Sequence, residues 1–224
     1  MKSGKIEKHQ RVQESILAPA EAVSLRWFAQ RMPSWVNSDH LTLIGLFAMI
    51  AAGLFYYLSQ WNVLLLHVVN VMIIANWFGD SLDGTLARYR NRLRPRYGYY
   101  VDHILDNFGV LFVTMGLALA GYMSVWVAFA VLVMYLLLNI NIYLATSSIG
   151  VFQISYWKFG PTELRLFLMI GNVFLIYKPV VSLFGGRFLL YDVGGTVAAA
   201  FMLMILLVST AANTRKLYYM ERLS

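Results

Sequence analysis

Six apolar stretches, each long enough to cross a bilayer, leave this chain few folds to adopt. They fall at residues 41–59, 61–78, 99–121, 125–145, 164–184 and 188–212. A spanning helix takes about 20 predominantly apolar residues. Inside lipid every backbone N–H and C=O must be satisfied within the protein, which favours helix over irregular chain. Composition agrees: 59% of the 224 residues are hydrophobic and 13% charged, with a mean hydropathy of +0.62, against about 45–50% and about 25% in soluble domains. The expected fold is an all-α membrane protein with six transmembrane helices. The second stretch runs directly into Asp80, so its end is the least defined.

Ahead of the first span, residues 16–35 carry Leu17, Val23, Trp27, Phe28 and Met32 among Glu21, Arg26 and Arg31, with Glu14 just before them. That mixture suits an amphipathic helix in the interface plane, compatible with one packed against the rest of the protein. With the N-terminus inside, 16 of the 18 Lys and Arg fall on the cytoplasmic side, Lys158 and Arg165 among them, and only Lys178 and Arg187 fall outside. Cationic loops stay cytoplasmic. Both termini are therefore expected in the cytoplasm, with the protein in the cell inner membrane. The basic start is not followed by a short apolar core and a small-residue cleavage site, so no cleaved signal peptide is expected. No cysteine is present, which excludes disulfides and thiolate metal sites. The net charge of +7 reads, at this hydrophobicity, as contact with an anionic membrane surface and not with nucleic acid. No repeat or long linker divides the chain: residues 1–36 form a cytoplasmic tail with the interfacial helix, and 37–224 one membrane domain.

Four of the eleven acidic residues lie between 80 and 106. A carboxylate in a bilayer costs about 2.5–3.5 kcal/mol on insertion scales, so four together require a partner. Asp80 and Asp83 are three apart, Asp102 and Asp106 four apart; in a helix both spacings put the pair on one face. The second and third spans are antiparallel neighbours, and their cytoplasmic ends bring the two pairs together. Oxygen-only donors of this kind suit hard divalent cations, Mg²⁺ or Mn²⁺. Gly84 permits close approach of a ligand to the backbone, and Ala87 keeps the same region small. Arg88, Arg90, Arg92, Arg94 and Arg96 form a topology determinant and anionic-lipid contact, with Arg88 the one placed to serve the site. Helix capping or salt bridges to these arginines would account for one aspartate better than for four.

Asp80, Asp83, Gly84, Ala87, Arg88, Gly98, Asp102 and Asp106 match all eight fixed positions of D-x-x-D-G-x-x-A-R followed by G-x-x-x-D-x-x-x-D. This resembles the signature of the CDP-alcohol phosphotransferase family of integral membrane enzymes. The spacer between Arg88 and Gly98 is slightly longer than the usual form, and at residues 37–42 a usual Pro-Asn is replaced by Asp39-His40. The resemblance implies transfer of a phosphoryl-alcohol unit, phosphatidyl in the commoner branch, from a CDP-linked donor such as CDP-diacylglycerol to an alcohol hydroxyl, with release of CMP. It implies two divalent ions held by Asp80, Asp83 and Asp102. Asp106 would touch one ion and act as general base. Gly84, Ala87, Arg88 and Gly98 would line the donor site, and the protein would be a homodimer.

His103 and Glu163 compete with Asp106 for the base role. The branch using CDP-choline or CDP-ethanolamine and diacylglycerol carries a similar Asp-His pair and a similar Gly-Pro-Thr-Glu stretch, here in Phe159–Glu163. Against this, neighbours in a helix do not share a face, which would turn His103 away, and Glu163 follows Pro161 as a helix-start carboxylate would. Arg165 is either a contact for an acceptor phosphate or one more cytoplasmic anchor. Asp192 and Lys178 fall toward the outer interface, and Gly194, Gly195 and Ala198 to Ala200 form a close-packing seam or dimer contact. Two other classes are a transporter and an inactive scaffold. A transporter would place its acids near the midplane of paired repeats, and a scaffold would not keep every motif position. Metal-dependent stabilisation by CMP separates the enzyme from both.

Overall fold

In a computed structural model, residues 17–150 and 160–221 are described in full, and 10–12 and 151–153 by their backbone. Glu14, Ile16, Lys158, Phe159, Lys2, Lys5, Lys8 and Arg222, used in the reading above, lie outside the described residues. The elements run β1 (Gln10–Val12), α1 (Ala18–Arg31), α2 (Ser38–Leu58), α3 (Leu65–Tyr89), α4 (Pro95–Leu119), α5 (Val125–Ile149), β2 (Val151–Gln153), α6 (Pro161–Tyr177), β3 (Val180–Leu183), β4 (Gly186–Leu189) and α7 (Leu190–Met220). β1 pairs in parallel with β2, and β3 with β4 as an antiparallel hairpin. The protein is all-helical in its core, and among the described residues α2, α3, α4, α5 and α7 are long and apolar enough to cross a membrane.

The expected 164–184 stretch departs most from its prediction. α6 stops at Tyr177 after 17 residues, a rise of about 25 Å. Pro179 follows its C-cap, and residues 180–183 turn into the hairpin instead of continuing the helix. The last stretch likewise surrenders its start to β4 and runs on to Met220. α3 continues past 78 through both aspartates to Tyr89, and left-handed Asn91 (φ 53°) then turns the chain toward α4. α1 ends at Arg31, two residues before Pro33.

Glycine decides how the three helices of the motif region meet. A Cβ on Gly79 of α3 would lie 2.5 Å from Leu41 O and 2.7 Å from Gly45 N of α2. One on Gly53 of α2 would lie 2.3 Å from Phe112 O of α4, and one on Gly116 of α4 2.3 Å from Gly53 O. α2 therefore packs backbone against backbone on both aspartate-bearing helices, as small residues allow in membranes. A buried apolar cluster of Ala52, Tyr56, Leu66, Val69, Ile73, Val113 and Leu117 fills the space away from the aspartates. A second, of Leu25, Ala29, Val36, Leu41, Leu82 and Leu86, seats α1 at the aspartate end.

A polar seam joins α3 to α6. Asn172 Nδ2 donates to Asn70 Oδ1 (2.7 Å), and Asn70 Nδ2 donates to Met169 O (3.2 Å). Nearer the aspartates, Arg165 Nε donates to Asn76 Oδ1 (2.9 Å), and Asn76 Nδ2 donates to Gly45 O (3.0 Å). Asn172 Oδ1 also accepts from Tyr56 (2.7 Å) and Tyr191 (2.5 Å), so one buried amide ties α2, α3, α6 and α7. Buried groups of this kind hold a bundle in register because each is costly to leave unpaired.

Candidate active site

The four aspartates converge where α3 ends and α4 begins. Asp102 lies close enough to Asp80, Asp83 and Asp106 for direct charge–charge interaction, and Asp106 lies within the same range of Asp80, Asp83 and Arg165. Ligand atoms of Asp102, His103 and Asp106 all fall within 4.8 Å of one another. Asp80 and Asp83 lie within charge–charge range of this group.

Two of the carboxylates are oriented by neighbours on other helices or by backbone. Asp83 Oδ2 accepts from Thr42 Oγ1 (2.6 Å) in the first turn of α2, and Oδ1 from the Gly84 amide. Asp80 Oδ2 pairs with Arg165 Nη2, which reaches across from α6. The Arg165 side chain is 13% exposed and that of Asp80 19%, so this ion pair is inside the protein. Arg165, expected as an acceptor-phosphate contact or a cytoplasmic anchor, serves here as an internal counter-charge, because four carboxylates would otherwise repel one another.

His103 also departs from the helical argument that turned it away. Its Nδ1 sits 3.4 Å from Asp102 Oδ2, while its ring stacks on Tyr143 of α5 (5.2 Å between centroids, 9° interplanar) and meets the edge of Tyr99 (4.3 Å). Cα positions one residue apart do diverge, but a ring held between two tyrosines folds back beside Asp102. Glu163 is used otherwise: Oε2 accepts from Gly160 N (2.9 Å) and Oε1 from Leu17 N (3.1 Å). Oε2 thus caps the start of α6 and Oε1 takes an amide at the start of α1, so the Glu163 carboxylate is engaged by backbone and not by the aspartates.

Arg88 lies exposed, Nη2 donating to Thr85 Oγ1 (3.1 Å), and its guanidinium covers the small face of Gly84. Ala87 borders a cleft of about 410 Å³ whose other walls include Asn37, Asp39, Arg90, Arg92 and Arg94. Gly98, in the first turn of α4, has nothing within 4 Å of where a Cβ would sit. The arginine run divides: Arg90 donates to the carbonyls of Met32 (2.9 Å), Pro33 (2.8 Å) and Val36, holding the α1–α2 loop. Arg94 pairs with Asp39, which raises its pKa above the ordinary guanidinium value, and stacks on Tyr97 at 4.1 Å. The unusual Asp39-His40 therefore has local work, since His40 Nδ1 accepts from Asn37 N (3.3 Å) in a capping box for α2.

The sequence reading missed Thr42 and the contribution of α5. Asn107 Oδ1 accepts from Asn139 Nδ2 (2.8 Å), and Tyr135 and Tyr143 lie within electrostatic range of Asp106. The available signal was Tyr135, Asn139 and Tyr143 recurring every four residues in an otherwise apolar run.

A helical membrane protein with clustered carboxylates and one internal arginine at a helix junction is the class defined by this fold and site. The family model for CDP-alcohol phosphatidyltransferase matches residues 35–212, and the chain belongs to that family of phosphate-group transferases. No match to the chain is found among the curated proteins.

Proposed function

We propose that this protein transfers a phosphatidyl group from CDP-diacylglycerol to the hydroxyl of a polar alcohol and releases CMP. The observation that carries this reading is the convergence of Asp80, Asp83, Asp102 and Asp106 with Arg165 beside them. The donor set fits a hard divalent cation: oxygen ligands in excess of the one cationic side chain that balances them. Asp80, Asp83, Asp102 and Asp106 would hold two ions, Mg²⁺ or Mn²⁺. Such ions, when bound, neutralise the pyrophosphate and stabilise charge on departing CMP. Asp106 takes the proton of the acceptor hydroxyl as its oxygen bonds to the phosphorus bearing the diacylglycerol. The pyrophosphate P–O bond breaks in the same displacement, and CMP keeps its electron pair. Gly84, Ala87 and Gly98 leave room for the donor, and Arg88 faces its phosphates. Arg165, whose Nε and Nη2 serve Asn76 and Asp80, limits repulsion among the carboxylates.

His103 beside Asp102 favours one second reading: a CDP-aminoalcohol donor with diacylglycerol as acceptor, and His103 as the base. Around either chemistry, α6 and its hairpin make the sixth crossing, residues 37–224 form one membrane domain, and α1 lies in the interface with Val23 and Trp27 outward and Leu25 and Ala29 inward. The aspartate end faces the cytoplasm of the inner-membrane protein, which works as a homodimer.

The deciding experiment measures CMP release by purified protein with Mg²⁺, using CDP-diacylglycerol and a CDP-aminoalcohol against a panel of acceptors. Release from CDP-diacylglycerol with a polar alcohol is expected. Release only from the aminoalcohol donor would move the assignment to the second branch, and failure to bind CMP would remove the enzyme reading altogether.

A further inference from the structure

α1 crosses the aspartate end of the bundle and delivers Glu21 to the junction of α3 and α6. Its Oε1 accepts from Trp77 Nε1 (2.8 Å) and Ser81 Oγ (2.8 Å), both on α3. Thr162 Oγ1 on α6 bridges Oε1 and Oε2 at 3.1 Å each. Among the described residues, the ion pairs do not include Glu21, so neutral donors from two helices carry the whole interaction. A carboxylate offers about four acceptor positions, which lets one side chain gather donors that belong to different helices.

The placement of those donors is specific. Trp77 and Ser81 flank Asp80, one turn before it and one residue after it; Thr162 stands three residues before Arg165, on the same stretch of α6. Asp80 and Arg165 are the pair that joins the two helices inside the site. Glu21 therefore bridges the same two turns that the ion pair bridges. Leu17 N adds a second tie from the start of α1 to Glu163 on α6. At the far end of α6, Asn172 and Met169 fix it to Asn70. A helix of 17 residues held at both ends cannot slide along α3. Without Glu21 that end keeps the Arg165 contacts with Asp80 and Asn76 and the Leu17–Glu163 tie, and loses its bridge to Trp77 and Ser81.

We infer that Glu21 is a positioning residue for the metal site: it sets the height of α6 against α3, so that Arg165 meets Asp80 and holds that carboxylate in its binding orientation. This rests on the metal reading given above. Groups that orient metal ligands are worth about 10–100-fold in metal affinity when removed.

The test uses the full chain in detergent, with Mn²⁺ binding followed by electron paramagnetic resonance and Tm recorded on the same samples. Glu21→Ala is expected to weaken Mn²⁺ binding about tenfold, and Glu21→Gln, which keeps the shape and an acceptor oxygen, to restore most of it. Thr162→Val removes only the α6 donor and leaves α1 bonded to Trp77 and Ser81; it should weaken Mn²⁺ binding in the same direction with Tm near wild type. It carries the test if Glu21→Ala does not fold. Asn172→Leu supplies the contrast, a loss of Tm with Mn²⁺ affinity kept. Unchanged Mn²⁺ affinity in Thr162→Val and in folded Glu21→Ala would overturn the inference and leave Glu21 as a docking residue for α1. Wild-type protein that binds no Mn²⁺ would instead overturn the metal reading, and this inference with it.

Discussion

The carboxylates of this site differ in what holds them, and that separates their expected phenotypes. Asp83 receives hydrogen bonds from Thr42 and the Gly84 amide, and Asp80 is paired with Arg165. Asp102 and Asp106 lie within ligand distance of each other and of His103. Asp83→Asn and Asp102→Asn should abolish CMP release by weakening Mn²⁺ binding, measured by paramagnetic resonance on the purified variants. Asp106→Asn should lose turnover while keeping CMP affinity; near-normal turnover would pass the base role to His103. Thr42→Val leaves one oxygen of Asp83 without its partner, and loss of a hydrogen bond to a charged group of this kind costs about 1.5–3 kcal/mol. Its kcat/KM should fall by at least tenfold, an effect read from initial rates at saturating metal.

At the scale of elements, the site depends on how closely α2 approaches its neighbours. A methyl group at Gly79 meets Leu41 O and Gly45 N, and one at Gly53 meets Phe112 O, all backbone atoms that cannot rotate away. Overpacking of this sort typically costs about 1–3 kcal/mol. Gly79→Ala pushes α3 from α2 at the level of Asp80 and Thr42, so it should reduce both Tm and CMP affinity. Gly53→Ala acts farther from the aspartates and should reduce Tm with less effect on CMP affinity; equal losses in both assays would contradict this division. The Asn172 amide is the other element-scale lock, since its removal takes the acceptor from the Tyr56 hydroxyl and the donor from Asn70 Oδ1, and leaves the Tyr191 hydroxyl with Leu168 O. Each buried group left unpaired costs about 1–3 kcal/mol, so Asn172→Leu should be among the most destabilising single changes in a thermal scan.

For the molecule as a whole, the assembly of one site from α2, α3, α4 and α6 makes ligand binding and stability a linked pair. Ligand at 100 times its Kd stabilises a folded state by about 2.7 kcal/mol. CMP with Mg²⁺ should therefore raise Tm, and EDTA should cancel the rise; a CMP effect indifferent to EDTA would contradict a metal-borne site.

Much of this was already written in the order of residues. Long apolar runs determine that helices cross a membrane, because lipid offers the backbone no other partner. The spacings of three and four determine that Asp80 joins Asp83 and Asp102 joins Asp106, because helix geometry is local. Element ends were less legible: residues 180–183 are as apolar as a span, yet the chain after Pro179 forms a hairpin. Tertiary structure alone decided that Arg165 enters the site, that His103 folds back between two tyrosines, and that Glu21 bridges α3 and α6. The Arg165 pair spans 85 residues and the Glu21–Thr162 bond 141. A residue's own neighbours in sequence set its helix face, but only the packing of distant helices sets which charge or amide that face will meet.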